Sequence, residues 1–262
     1  MIEEFKLDAR PICIVDVDLT VVDSVTPWLN WLNAKTGKNF TAEDLGYDYD
    51  LGKHFTQHWP SYCTERPISW WRYEGIYDAL QPYKGAVEVL RQISHTHQIV
   101  FVSHCKGRHM KSKVAFLKRH FPFMSGFLAT KQKHFVASMD PKRDIVIDDR
   151  NEHLNKFQHR HVIPIKMYTP WTQTEQLRMP VHIVYDWEQV LSLYKLHITD
   201  VLQPCSKCGI TGIHACLGDR IVNHAPDSVE LVRQEGITIR YTNKVDNNVP
   251  LCLNGLIDNK RD

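Results

Sequence analysis

The stretch that most constrains this chain is residues 14–24, IVDVDLTVVDS. Ile12–Val15 is a short β-branched apolar run of the length and composition of a buried strand. It stops at Asp16, with Asp18 and Thr20 following at every second position. Carboxylates one residue apart at a strand end lie on the same side of the sheet edge. One can hold Mg²⁺ while attacking phosphorus, and the other can exchange a proton with a leaving oxygen. Taken alone, D-x-D-x-T after an apolar strand also fits a polar turn that caps a helix.

The segments that follow alternate in period. GAVEVLRQIS (85–94) has helical spacing, with Val87, Leu90 and Ile93 on one face, and IVFVS (99–103) is a second continuous apolar run. KSKVAFLKRHF (111–121) is helical again, and GFLAT (126–130), DIVIDD (144–149) and HVIPI (161–165) have strand patterns. Apolar strands separated by helices predict an α/β fold whose parallel sheet is covered on both faces. Ligands in such sheets sit beyond the carboxyl ends of the strands. The polar residues there are therefore the candidates for chemistry.

Three further strand ends supply them. IVFVS delivers Ser103, a small hydroxyl donor, followed by His104. GFLAT leads into KQKH, where Lys131 and Lys133 both follow the strand and either can offset an aspartate held beside a phosphate dianion. DIVIDDR places Asp148 and Asp149 where they can add oxygen ligands for Mg²⁺.

This ordered set, DVDLT, Ser103, Lys133 and Asp148-Asp149, resembles the haloacid dehalogenase (HAD) superfamily of phosphohydrolases over residues 10–195. The resemblance implies a Rossmann-like core (1–23 and 83–197) with a helical cap inserted at 24–82. It implies Asp16 as a nucleophile that forms an aspartyl-phosphate, and Asp18 as general acid and then base. Thr20, Ser103 and His104 would contact phosphate oxygens, and Lys133 would tie nucleophile to phosphate. Mg²⁺ would be held by Asp16, Asp18 (through its backbone carbonyl) and the Asp148-Asp149 pair, with Asp149 favoured as the direct ligand. The acid often found four residues after that motif is here His153, beside Glu152. Dehalogenases lack an acid at the Asp18 position, so phosphate rather than halide chemistry is implied.

The insertion is rich in aromatic residues, and its first helix is expected over SVTPWLNWLNAKTG, capped by Ser24 or Thr26 and closed by Gly37. Trp59, Trp70, Trp71 and Tyr73 are candidates to stack on a base, although such rings also build a small core. A finer likeness joins YDALQPYKGAVEVLRQISHTHQIVFVS, LATKQKHFV and IVIDDR to the 5'(3')-deoxyribonucleotidase family, phage deoxynucleoside monophosphatases included. It implies hydrolysis of (deoxy)nucleoside 5'-monophosphates, a small-molecule nucleotide as partner. The alternatives are a polynucleotide 3'-phosphatase, with KGRHMKSK (106–113) as a backbone-tracking or solvated helix face, and a non-catalytic scaffold.

Composition narrows the setting. Of 262 residues, 43% are apolar and 24% charged, and the formal charge of +2 is too small for a polyanion-coating protein. Mean hydropathy is −0.36. There is no apolar run near the ~20 residues a membrane span needs, and MIEEFKLDAR does not read as a secretory signal. A cytoplasmic protein is expected, in a host cell if phage-encoded. Four of the seven cysteines fall in 198–262, expected to form a small α+β module in which DSVELVRQEGITIRYTN (227–243) reads as helix, turn and strand. There Cys205, Cys208, His214 and Cys216 are candidates for a structural Zn²⁺.

Overall fold

Ile12–Val15 forms strand β1, and all four of its residues are buried. The computed structural model describes residues 10–47, 52–60, 65–105, 107–136, 138 and 143–202, with the backbone of 228–234 and 237–242. Strands β2 (Gln98–Ser103) and β4 (Ile145–Asp148) flank β1, both parallel to it, so that Ile14 pairs with Val100 on one side and Val146 on the other. Strand β3 (Gly126–Ala129) lies outside β2, and β5 (Ile163–Met167) and β6 (Val181–Val184) continue outward from β4. These six strands run parallel in the order β3-β2-β1-β4-β5-β6.

The two-residue period of a strand divides the core. Cys13 and Val15 of β1, with Phe101 and Ile147, pack on one face beneath helices α2 (Ala86–Ile93), α3 (Met110–His120) and α5 (Trp187–Leu202). Ile12 and Ile14, with Val100 and Val146, pack on the other, against Leu154 of the short helix α4 (Asn151–Asn155) and Phe157. A strand buried on both faces must be apolar throughout, which is why β1, β2 and β4 carry unbroken apolar runs.

Strands β7 (Ser228–Gln234) and β8 (Ile237–Thr242) form an antiparallel pair, with β8 beside β6. The expectation of a helix in the first half of 227–243 is corrected here. The alternation of Val229 with Leu231, and of Ile237 with Ile239 and Tyr241, has the period of a strand. Cys205, Cys208, His214 and Cys216, the expected zinc ligands, lie outside the described residues.

Between β1 and α2 the described residues form one α-helix, α1 (Val25–Thr36), and three 3-10 turns at Ala42–Leu45, Lys53–His58 and Pro67–Arg72. Gly37 closes α1 at φ +67°, as its position implies. The start differs from expectation. Ser24 stands at the N-cap without a side-chain capping bond, and Asp23 Oδ1 instead accepts from the N–H groups of Val25 and Thr26, each at 3.0 Å. A carboxylate suits that end because the free N–H groups there are the positive pole of the helix. The insertion packs around a core of Trp28, Leu32, Leu45, Phe55 and Trp70 that also takes in Leu19 and Trp171.

Gly85 fixes the junction of α2 and α5. It precedes α2 at φ +83°, and a Cβ there would lie 3.3 Å from Trp187 Cβ. Left-handed backbone costs about 1–2 kcal/mol for a residue with a Cβ. Gly85→Ala is expected to lower stability by at least that amount in urea denaturation, and an unchanged midpoint contradicts the packing described.

Candidate active site

The carboxyl ends of β1, β2 and β4 meet because the strands run parallel and in register. Asp16 continues β1, its N–H donating to Ile147 O at 2.9 Å, while Ser103 and Asp148 end β2 and β4. The loop after β3 brings in Lys133, which is 2% exposed, whereas Lys131 is exposed. Lys133 Nζ lies 2.7 Å from Asp16 Oδ1 and donates to Asp148 Oδ2 at 2.6 Å. Of the two candidate lysines, the buried one takes the bridging place.

Charge is concentrated here and largely out of water. Burial pushes the Asp16 carboxyl up, helped by Asp148 and Asp18 and opposed by Lys133. Asp148 is also desolvated, yet Lys133 and His153 hold it below the usual carboxylate range. Both of its oxygens are engaged: Oδ2 by Lys133, and Oδ1 by the Arg150 N–H at 2.9 Å and His153 Nδ1 at 3.1 Å. Asp149 differs. Its Oδ2 is buried with no hydrogen-bond partner, and burial with Asp148 and Asp16 nearby pushes its carboxyl well above the ordinary range. Lys166 donates to the Asp149 backbone oxygen and, at 2.7 Å, to Thr172 Oγ1.

A second lysine serves Asp18. Lys113 Nζ donates to Asp18 Oδ2 at 2.7 Å and to Ser103 Oγ at 2.9 Å, and the Tyr77 hydroxyl donates to Asp18 Oδ1 at 2.6 Å. Burial alone would raise the Asp18 carboxyl, but these donors hold it below its ordinary value. Lys113 is 0% exposed, and His109 and Ser112 beside it are buried. The reading of 106–113 as a solvated or backbone-tracking face is therefore corrected at these positions. The signal was present: Phe116 and Leu117 stand three and four residues after Lys113, which puts the lysine on the apolar face of α3. Lys166 sits likewise inside an otherwise apolar strand.

A cleft of about 940 Å³ opens over these groups, lined by Asp16, Asp18, Ser103 and His104 at its floor. Of the four aromatic candidates, Trp71 lines it, with Ile68 and Arg72. Trp70 is buried in the core of the insertion, and Trp59 and Tyr73 pack around Trp31 there. Trp59 Nε1 also donates to Glu65 O, and Tyr73 bonds the Glu65 carboxylate. Thr20 is fully buried, with an unpartnered hydroxyl, and does not line the cleft.

The donor set suits a hard cation. Four carboxylates (Asp16, Asp18, Asp148, Asp149) face three ammonium groups (Lys113, Lys133, Lys166), and one buried carboxylate oxygen is unpartnered. Ligand atoms of Asp16, Asp148 and His153 also lie within 4.8 Å of one another. An unpartnered oxygen in an acid-rich, partly neutralised pocket is what a divalent cation satisfies, and oxygen donors favour Mg²⁺.

The profile of the 5' nucleotidase, deoxy (Pyrimidine), cytosolic type C family matches residues 10–194. Among solved structures the chain is similar to a HAD hydrolase, YfnB from Bacillus subtilis, bound to magnesium. The two share 12% identity over 72% of this chain and 100% of that one, with a TM-score of 0.50. A haloacid dehalogenase-like hydrolase family protein, SP0104 from Streptococcus pneumoniae, aligns at 14% identity over 72% and 100%, with a TM-score of 0.47. No curated protein sequence matches. Among the described residues no helix is long and apolar enough to cross a membrane.

Removing the ammonium between Asp16 and Asp148 leaves two buried carboxylates facing each other. Lys133→Met is expected to cost about 3–5 kcal/mol of stability at neutral pH, measured by urea denaturation. A loss under about 1 kcal/mol, as for a solvent-screened pair, contradicts the geometry.

Proposed function

Because the chain belongs to the cytosolic type C family of deoxy (pyrimidine) 5'-nucleotidases, a family of phosphoric monoester hydrolases, we propose that it is a Mg²⁺-dependent phosphatase of (deoxy)nucleoside 5'-monophosphates, favouring deoxynucleotides. The observation that carries this reading is the buried chain Asp16–Lys133–Asp148, with Asp18 two residues on and an unpartnered Asp149 oxygen beside it. A nucleotide phosphate brings up to two negative charges into a pocket that already holds a carboxylate without a counter-ion. Bound Mg²⁺, held by Asp16, Asp149 and the Asp18 backbone carbonyl, would supply the missing positive charge and polarise the phosphoryl group.

The reaction then divides among this chain's residues. Asp16, oriented by Lys133, attacks phosphorus through a carboxylate oxygen. A P–O bond to Asp16 forms as the bond to the 5'-oxygen breaks, and that oxygen leaves with a proton from Asp18. In the second half a water oxygen attacks the phosphorus of the aspartyl-phosphate, its proton passes to Asp18, and the bond to Asp16 breaks, releasing phosphate. The carboxylate form of Asp18, held by its two donors, is the one that takes the proton from water. An incoming phosphate dianion favours the protonated form needed for the first half, since like charges disfavour ionisation. Ser103 and His104 line the floor where phosphate oxygens would sit.

The insertion acts as the cap over this site. Trp71, which packs on Trp28 with ring centroids 4.7 Å apart and also lines the cleft, is the ring of the four candidates that would stack on a base. Stacking on such a ring contributes about 1–3 kcal/mol and tolerates any base. Trp71→Ala is therefore expected to raise KM for nucleotides about tenfold or more while leaving KM for a sugar phosphate unchanged. Equal effects on both substrates contradict the stacking role.

Activity is tested on purified protein with deoxynucleoside 5'-monophosphates, a sugar phosphate and a 3'-phosphorylated oligonucleotide, with Mg²⁺ and with excess chelator. The expected result is preference for the nucleotides and loss of turnover on chelation, with Asp16→Asn folded but reduced by about 10⁴-fold or more. Preference for the oligonucleotide, or turnover that survives Asp16→Asn, overturns the reading. Asp149→Asn adds a readout independent of turnover. It is expected to leave the metal-free protein at least as stable, since the amide stays neutral where burial already disfavours the ionised carboxyl, and to abolish thermal stabilisation by Mg²⁺. An Asp149→Asn protein that Mg²⁺ still stabilises as the wild type contradicts the metal assignment.

A further inference from the structure

Lys113 enters the steps above only as a donor to Asp18, yet it is among the most completely buried charges of the described residues. Burying an ammonium costs several kcal/mol unless it is paired and hydrogen-bonded, so its partners indicate what it is for. They come from two different elements. Asp18 lies on the bend after β1 and Ser103 ends β2, at 2.7 and 2.9 Å from Nζ. The Tyr77 ring lies under the ammonium, its centroid 4.9 Å away, and its hydroxyl holds the other Asp18 oxygen.

Asp18 needs such support. It is followed by Leu19 at φ +58°, a left-handed conformation uncommon outside glycine, and its side chain is 22% exposed at the cleft. A carboxylate at the tip of such a bend has several rotamers open to it, whereas proton transfer requires one placement within hydrogen-bond reach of the departing oxygen. A lysine anchored on α3, packed with Phe116 and Leu117 on that helix's buried face, provides a rigid reference for it.

We propose that Lys113 is a positioning residue for the proton-transfer step. Through its bonds to Asp18 and Ser103 it fixes the Asp18 carboxyl group in the one orientation from which it serves the departing oxygen. Tyr77, reaching in from the return segment of the insertion, completes that hold. The proposal rests on the phosphatase reading given above. It separates the two lysines of the site by function: Lys133 orients the nucleophile, and Lys113 orients the acid.

A leaving group that needs no proton isolates this role. Cleavage of p-nitrophenyl phosphate releases a stabilised phenolate, whereas a nucleoside 5'-monophosphate must expel an alkoxide unless it is protonated. kcat/KM reports only the steps up to formation of the phosphoenzyme, so it is the quantity to compare. In Lys113→Met, kcat/KM for the nucleotide is expected to fall about 10²-fold or more, while that for the aryl ester stays within about fivefold. Tyr77→Phe keeps the ring and its packing, removes only the hydroxyl, and is expected to shift the same ratio in the same direction by a smaller factor. If Lys113→Met does not fold, Tyr77→Phe and Asp18→Asn carry the comparison. Equal losses on both esters in the folded variants, or an unchanged nucleotide rate, overturn the proposal. A wild-type enzyme that cleaves the aryl ester but no nucleotide overturns the substrate reading alone, and the same contrast is then read with whichever alkyl monophosphate it cleaves. Wild-type protein inert towards all of these esters overturns the phosphatase reading and this proposal with it.

Discussion

Two carboxylates, Asp16 and Asp148, share one buried ammonium, Lys133, and the arrangement of the site follows from that bridge. Neither acid is tolerable at its depth without a partner, because desolvation of an ionised group costs far more than one solvent-screened contact returns. The bridge also requires the ends of β1 and β4 to be adjacent and the loop after β3 to cross the ends of β2 and β1 to reach them. The parallel order β3-β2-β1-β4 supplies that geometry. Asp16 is consequently held in one orientation, with its negative charge partly offset but not removed. That is the condition under which a weak nucleophile can approach a charged phosphoryl group.

The rest of the pocket distributes charge around this bridge. Lys166 sits beneath Asp149, and Lys113 with Tyr77 holds Asp18. What remains is a carboxylate oxygen without a partner among the described residues and a cleft lined in part by the insertion, whose core also takes in Leu19 and Trp171. The sheet edge carries the acids and lysines beneath the cleft, and the insertion brings Trp71 to the cleft from its packing on Trp28 and Trp70.

Much of this was readable from residue order. Continuous apolar runs ending in polar residues marked β1, β2 and β4, because a strand covered on both faces has no alternative composition. Position along the chain could not separate Lys131 from Lys133; a buried bridge between two particular strand ends did. Lys113 was obscured by a tract rich in basic residues, although its spacing to Phe116 and Leu117 placed it on a buried face. The aromatic residues of the insertion were legible as a group but not one by one. Which ring faces the cleft depends on packing among 3-10 turns, which impose no periodicity long enough to read. Strand β6 escaped because Val181–Val184 is only four residues, and short extended runs carry little signal over a helical alternative, which is also how β7 was read, whereas the strand pattern of β8 was legible.

The proposed reaction turns on a bond between Asp16 and phosphorus. Its most direct test is peptide mass spectrometry on protein quenched in acid during turnover of a deoxynucleoside 5'-monophosphate. One added phosphoryl group is expected on the peptide containing Asp16, with that residue converted to homoserine by borohydride reduction. Sustained turnover with no phosphorylated peptide, or with the phosphoryl group on another residue, contradicts it.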